Sequence, residues 1–159
     1  MPRKTTKSLI RKVNPDRKYN SVLVQRLINK TMVDGKKQSA ERAVYQAMEI
    51  AAKKLKIDDP AVMFEKAIKN IYPSLEVKSR RVGGANYQIP FPVQGHRQQH
   101  LAFMWFVQAA RTRKGMPIAE RLAQEMIDAT NQTGAAFKKK EDTHRMAEAN
   151  RAFAHFARS

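Results

Sequence analysis

Hydrophobic spacing switches from a helical period to a period of two once along this chain, which limits the fold to a helical body carrying one β-hairpin. Between Leu75 and Phe91 the apolar positions alternate: Leu75 and Val77 precede Gly83-Gly84, and Tyr87, Ile89 and Phe91 follow it. Glu76, Lys78, Arg80, Asn86 and Gln88 stand between them. A turn made of the two glycines alone would set Val77 opposite Pro90 and mismatch the apolar faces. The pattern therefore predicts a three-residue loop, Val82-Gly83-Gly84, that pairs Leu75 with Phe91, Val77 with Ile89 and Ser79 with Tyr87. Gly84 would take the left-handed position such a loop needs. Strands of about seven residues extend roughly 23 Å, against a radius of about 15 Å for a domain of this length. The tip, with Arg80 and Arg81, is expected to project rather than fold flat on the body. Two strands alone are marginally stable, so the base must lean on helices.

The remaining pattern predicts about six helices in one domain. Asn20 or Ser21 can cap a short helix with Leu23, Val24, Leu27 and Ile28 on one face, stopping near Asp34-Gly35. The next, roughly 36 to 55, aligns Ala40, Ala43, Val44, Ala47, Met48, Ala51 and Leu55. Lys36 and Lys37 at its start oppose the helix dipole, a penalty that a phosphate could offset. Asp58-Asp59-Pro60 opens a third helix with Ala61, Phe64, Ala67, Ile68 and Ile71, ending before Pro73. Leu101-Ala-Phe-Met-Trp-Phe-Val107 is too continuously apolar for a helix exposed along one side, so it is expected to be the central helix, stopped by Gly115. Pro117 opens a fifth helix with Ala119, Leu122, Ala123, Met126 and Ile127. A last helix, roughly 138 to 156, is expected to present Met146, Ala149, Phe153 and Phe156.

Charge selects the class of partner. The 159 residues hold 31 Lys+Arg against 14 Asp+Glu, a formal charge of +17, with no cysteine. Such self-repulsion tends to persist where a polyanion neutralises it. No 18-residue apolar run, signal-peptide core or lipidation motif points to a membrane. Residues 1 to 18 read as a basic arm (Arg3, Lys4, Lys7, Arg11, Lys12, Arg17, Lys18, against Asp16), and residues 19 to 159 as the helical domain. Arg111, Arg113 and Lys114 add positive charge with no acid nearby in sequence. Residues 116 to 134 carry Arg121 against Glu120, Glu125 and Asp128. That segment is expected to face away from the polyanion, so charge reversal at Glu120 or Glu125 should hardly affect binding.

No catalytic constellation is present, and no cofactor or metal is expected. His96 and His100 have chelating spacing, but Arg97 disfavours a cation and no third ligand is evident, so stacking or phosphate contact suits them better. Gly83-Gly84 lacks the lysine and hydroxyl of a phosphate loop, and Glu141-Asp142 with His144 reads as helix surface.

Several segments together resemble the bacterial form of the small-subunit ribosomal protein seven family: Met1-Pro-Arg-Lys4, Met32-Val-Asp-Gly-Lys-Lys37, Val77-Lys-Ser-Arg-Arg-Val-Gly-Gly84, Tyr87-Gln-Ile-Pro90 and Arg145-Met-Ala-Glu-Ala-Asn-Arg-Ala-Phe-Ala-His155. The resemblance implies a mainly α domain with a protruding hairpin that binds the 3′ major domain of small-subunit (16S) ribosomal RNA and starts assembly of the subunit head. It also implies a cytoplasmic place in the small subunit near exit-site transfer RNA and messenger RNA, beside small-subunit ribosomal protein eleven and other head proteins, without a homo-oligomer. Carried onto matching positions, Arg3, Lys4, Lys36, Lys37 and Arg145 would contact ribosomal RNA, joined on grounds of charge by Lys7, Arg11, Lys12, Arg111, Arg113 and Lys114. Lys78, Arg80, Arg81, Gly83, Gly84 and Tyr87 would serve the hairpin near transfer and messenger RNA. The chain departs from the family at Gln94-Gly-His-Arg-Gln-Gln-His100 and at Met104 before Trp105, leaving Arg97 as the contact expected of the fourth helix. The competing reading is an architectural DNA-binding protein with a β-arm. Such arms insert an apolar wedge, often proline, at the tip, whereas Pro90 and Pro92 sit at the base and Val82 is a poor wedge.

Overall fold

The computed structural model describes residues 12–157, so Arg3, Lys4, Lys7 and Arg11 lie outside the described residues. In chain order come α1 (Val22–Thr31), α2 (Lys37–Leu55), α3 (Pro60–Ile71), β1 (Leu75–Val82), β2 (Ala85–Pro92), α4 (Gly95–Thr112), α5 (Ile118–Thr130), α6 (Gly134–Ala149) and a 3-10 helix, Arg151–Ala157. The fold is mainly α with one antiparallel hairpin, as the change of period required.

The apolar run of α4 is buried on several sides because other helices pack around it. Leu101, Ala102, Phe103, Trp105, Phe106 and Val107 are all buried, and Met104 is half-buried. Phe64 of α3 meets Phe103 at 6.2 Å and Phe106 edge-on at 6.3 Å between ring centroids. The most extensive helix–helix contact joins α2 and α5. Both helices carry buried alanines, Ala40, Ala43, Ala47 and Ala51 on α2 and Ala119, Ala123 and Ala129 on α5, and small side chains let two backbones approach closely. The predicted cap at α3 is present: Asp59 accepts from the Ala61 N–H at 2.8 Å and, more weakly, from that of Val62 at 3.5 Å.

The hairpin register differs from the expected one. Gly83 and Gly84 form a two-residue turn with φ of +57° and +90°, both positive as the turn matching strand twist requires. Leu75 therefore pairs with Pro92, Val77 with Pro90, Lys78 with Ile89 and Arg80 with Tyr87. One face thus combines Glu76, Lys78 and Arg80 with Phe91, Ile89 and Tyr87. Ion pairing and ring contacts resolve the mismatch that argued against this register. The Lys78 ammonium lies 2.7 Å from Glu76 and 5.2 Å from the Phe91 ring centroid. Arg80 donates to the Phe156 carbonyl at 3.0 Å.

The last helix is also shorter than expected. α6 ends at Ala149, and the chain continues as the 3-10 helix. Met146 and Ala149 are exposed, and the inward positions are Ala136, Thr143 and Ala147. Phe153 and Phe156 do pack, but against the hairpin: Tyr87 lies 5.1 Å from Phe153 and 5.5 Å from Phe156. Nor is His144 plain helix surface. Half-buried, it accepts the Ser74 N–H at Nε2 (3.0 Å) and so ties α6 to the start of β1.

Glu125 overturns part of the expectation for residues 116 to 134, because its side chain is fully buried. It accepts from Arg113 Nη2 at 2.6 Å and Nε at 3.1 Å, while Asp128 accepts from the same guanidinium. Its other oxygen accepts the Ala136 N–H at 2.9 Å, which fixes the corner between α5 and α6. A Cβ at Gly134, whose φ is +89°, would stand 2.8 Å from Asp128 Cβ, so this corner requires glycine. Charge reversal at Glu125 would therefore act on the fold. Burial disfavours the charged Arg113 guanidinium, but the two carboxylates outweigh it and raise its pKa.

Arg113→Ala leaves the Glu125 carboxylate buried without its partner, and is expected to cost about 3–5 kcal/mol by urea denaturation; a loss under 1 kcal/mol would contradict this account. For His144, burial first and Lys140 second hold the pKa below its ordinary 6.5. The unfolded chain then binds more protons, so this contribution is complete above pH 6.5 and declines as pH falls through the lower folded value. The denaturation midpoint should fall between pH 7.5 and about 5, and His144→Gln should flatten that slope. A further loss belongs at more acid pH, as Asp16 and Glu76 protonate through their lowered values. Burial raises the pKa of both, yet amide donors at Asp16 and the Lys78 and Arg97 cations at Glu76 outweigh it and lower them.

Candidate nucleic-acid interface

α1 and α4 bound a cleft of about 370 Å³ lined by Arg26, Asn29, Lys30, His96, Gln99, His100 and Phe103. Arg26 and Lys30 are one turn apart on α1, as His96 and His100 are on α4, so α1 offers two cations and α4 two imidazoles to the same space. No acid lines it. Phe103, only 4% exposed, contributes apolar surface, and the Asn29 and Gln99 amides can read polar edges. Arg26 donates to the Gln99 side chain and bridges the helices. Burial, with Lys30 and Arg97, lowers the His100 pKa. That favours a neutral imidazole at pH 7, able to stack or to hydrogen-bond without a metal.

The hairpin adjoins this cleft through the first turn of α4. Arg97 donates to Glu76 at 2.9 Å, and Gln98 donates to the Pro73 carbonyl at 3.0 Å, so the hairpin base is held at the end where His96 and His100 lie. The Glu76 side chain is 8% exposed, which makes this a part-buried pair and gives Arg97 a structural task. At the opposite end of α4, Arg111 Nη2 donates to the Thr31 carbonyl at 3.2 Å, beside the approach to α2. Basic groups thus accompany α4 from the hairpin base to the α2 start, about 27 Å by helical rise.

Lys12, Lys36, Lys37, Lys114 and Arg145 are exposed. Lys78, Arg80, Arg81, Gly83 and Gly84 are exposed on the hairpin, and Tyr87 is half-buried under the 3-10 helix. Arg111 is exposed, but Arg113 turns inward to Glu125 and Asp128. Arg26 and Lys30 did not stand out in sequence. Their signal was weak but present: one turn apart, they lie off the stripe of Val24, Leu27 and Ile28. Among the described residues, no group of three His, Asp or Glu side chains could hold a metal ion, and no helix is long and apolar enough to cross a membrane.

Comparison with known proteins agrees with this geometry. The family model described as "Ribosomal protein S7p/S5e" matches residues 2–151. The chain is 60% identical over 146 residues to the small ribosomal subunit protein uS7 of Dictyoglomus thermophilum, covering 92% of this chain and 93% of that relative. It is 57% identical over 148 residues to the uS7 protein of Chloroflexus aggregans, covering 93% and 94% respectively. For the uS7 protein of Thermotoga petrophila the identity is 58% over 147 residues, covering 92% and 94%. The match takes in the helices that form the cleft, the hairpin and α6, and on that extent the chain belongs to the ribosomal protein S7p/S5e family.

Proposed function

We propose that this protein is a non-enzymatic structural component of the small ribosomal subunit in the cytoplasm, where it binds ribosomal RNA and neighbouring ribosomal proteins. In finer terms, it binds the 3′ major domain of 16S ribosomal RNA, nucleates assembly of the subunit head, and lies near exit-site transfer RNA and messenger RNA, beside small-subunit ribosomal protein eleven. The observation that carries this reading in the structure is the acid-free cleft between α1 and α4, continuous with the hairpin base. Folded RNA offers unstacked bases and irregular backbone crossings, which suit a cleft combining cations, amides and an aromatic ring. The arm of residues 1–18 would add phosphate contacts, as would Lys36, Lys37, Lys114 and Arg145. Lys78, Arg81 and the glycine turn would serve the hairpin. Arg113 is taken up by the two carboxylates of Glu125 and Asp128, so the cleft residues Arg26, Lys30, His96 and His100 stand in its place among the proposed contacts, while Arg26, Arg97 and Arg111 each hold one protein group and keep further donors for RNA.

The test is a titration of the full chain against a folded fragment of the 3′ major domain, with duplex DNA of equal length as competitor. RNA should be preferred by several kcal/mol at physiological salt, whereas equal competition would mean that charge alone drives binding and would favour the architectural DNA reading. Lys30→Ala should weaken RNA binding and reduce the steepness of log affinity against log salt by about 0.7–0.9. An unchanged slope would remove the cleft from the interface.

A further inference from the structure

The far side of α4 carries a groove of about 330 Å³, lined by Trp105, Gln108, Ala109 and Thr112 of α4 and by Ala135 and Lys139 of α6. At 3.6 residues per turn these α4 positions stand about half a turn from His96, Gln99, His100 and Phe103. The groove and the α1–α4 cleft therefore open on opposite faces of one helix. The group left unexplained here is the indole of Trp105, the only tryptophan in the chain. The residue is 6% exposed, yet its Nε1–H has no hydrogen-bond partner and, unlike the Thr31 hydroxyl, is not sealed from solvent. An indole N–H can only donate, and a largely buried indole usually finds an acceptor.

The neighbouring groups also suit acceptors. Lys139 is exposed and forms no ion pair among the described residues. Ala135 lies in the first turn of α6, which has no side-chain cap and no acid. The Ala136 N–H there is taken by Glu125, whereas the Ala135 N–H has no partner within the helix. Thr112 donates its hydroxyl to the Gln108 carbonyl at 3.0 Å, and the Gln108 side-chain amide is left to bond outward. Ala109 and Ala135 are small enough to let a backbone approach closely.

These features favour a polypeptide over a nucleic acid. One cation among six lining residues supplies little of the field that a phosphate backbone needs. Trp105 is too deeply buried to offer its ring face to a base. An indole N–H and a side-chain amide match main-chain carbonyls, and an ammonium beside a helix start matches one carboxylate.

We propose that this groove docks an extended, acidic segment of a neighbouring small-subunit protein, with a main-chain carbonyl on the Trp105 Nε1–H and a carboxylate between Lys139 and the Ala135 amide. The inference rests on the ribosomal reading above and gives the two faces of α4 different partners, RNA at the cleft and protein at the groove.

The Trp105 indole N–H resonance reports on this groove without overlap, since no other indole is present. In the free full-length chain, a blocked alanine-rich tetrapeptide bearing one aspartate should shift it saturably, and the asparagine counterpart should bind about threefold more weakly. Ala135→Glu should abolish the shift. The position is exposed and the first turn of a helix favours an acid, so the fold is kept, while the new carboxylate, four residues before Lys139, takes up that ammonium. Lys139→Gln should act in the same direction. On the folded RNA fragment the wild-type resonance should stay in place, and Ala135→Glu should change RNA affinity by less than about twofold. Of the purified small-subunit proteins added to that complex, one should shift the resonance and lose about tenfold in affinity with Ala135→Glu.

A shift caused by the RNA fragment alone, or a tenfold loss of RNA affinity in Ala135→Glu, would make the groove an RNA contact and overturn the proposal. No shift with either the peptide or any small-subunit protein would also overturn it, even with RNA preferred over duplex DNA. Loss of that preference with the peptide shift intact would remove the ribosomal reading and leave the groove standing as an acidic-peptide site.

Discussion

Self-repulsion is the constraint that the rest of this structure answers. A chain of charge +17 has only 14 carboxylates with which to counter it, and several of them are placed inside. Asp16 is 3% exposed and accepts from the amides of Lys18, Tyr19 and Ser21 and from the Tyr45 hydroxyl. Glu76 holds Lys78 and Arg97 at the hairpin base, and Glu125 holds Arg113 and the Ala136 amide at the α5–α6 corner. Each buried carboxylate fixes a junction between elements. The same choice leaves the outer lysines and arginines with few acids to offset them, so the requirements of folding and of polyanion binding agree.

Much of the fold was legible in sequence, because most helices here carry one apolar stripe. Val24, Leu27 and Ile28 in α1, the alanine face of α2, and Asp59-Pro60 at α3 all occupy the places that periodicity and capping assigned. The hairpin register was not legible, since its decisive contacts come from outside the two strands. Phe153 and Phe156 cover Tyr87, and Lys78 is settled by both Glu76 and Phe91. Glu125 was misread although the signal was available: with Leu122, Met126 and Ala129 it falls on the buried stripe of α5. The break after Ala149 had a weaker signal, Asn150, which can end a helix but does so less decisively than glycine or proline.

The candidate interface was legible by charge but not by grouping. Lysines and arginines that are adjacent in sequence proved to have different tasks, as Arg113 turns to Glu125 while Lys114 faces solvent. Residues far apart in sequence instead share one surface, Arg26 and Lys30 with His96 and His100. Such a grouping depends on how α1 packs on α4, which is a tertiary fact. Arg97 shows the complementary case, a guanidinium that positions the hairpin through Glu76 while its side chain remains about half exposed.

The clasp between Tyr87 and the final 3-10 helix sets a schedule for synthesis. An isolated two-stranded hairpin is marginal in water, and here its aromatic partners, Phe153 and Phe156, are made only after α4, α5 and α6. The helices that pack around α4 can assemble while the chain is still emerging, but the hairpin gains this support only when the segment beyond α6 follows. A chain stopped after α6 would therefore carry a folded body and a loosely held hairpin, so the rigidity of the hairpin arrives later than that of the body beneath it.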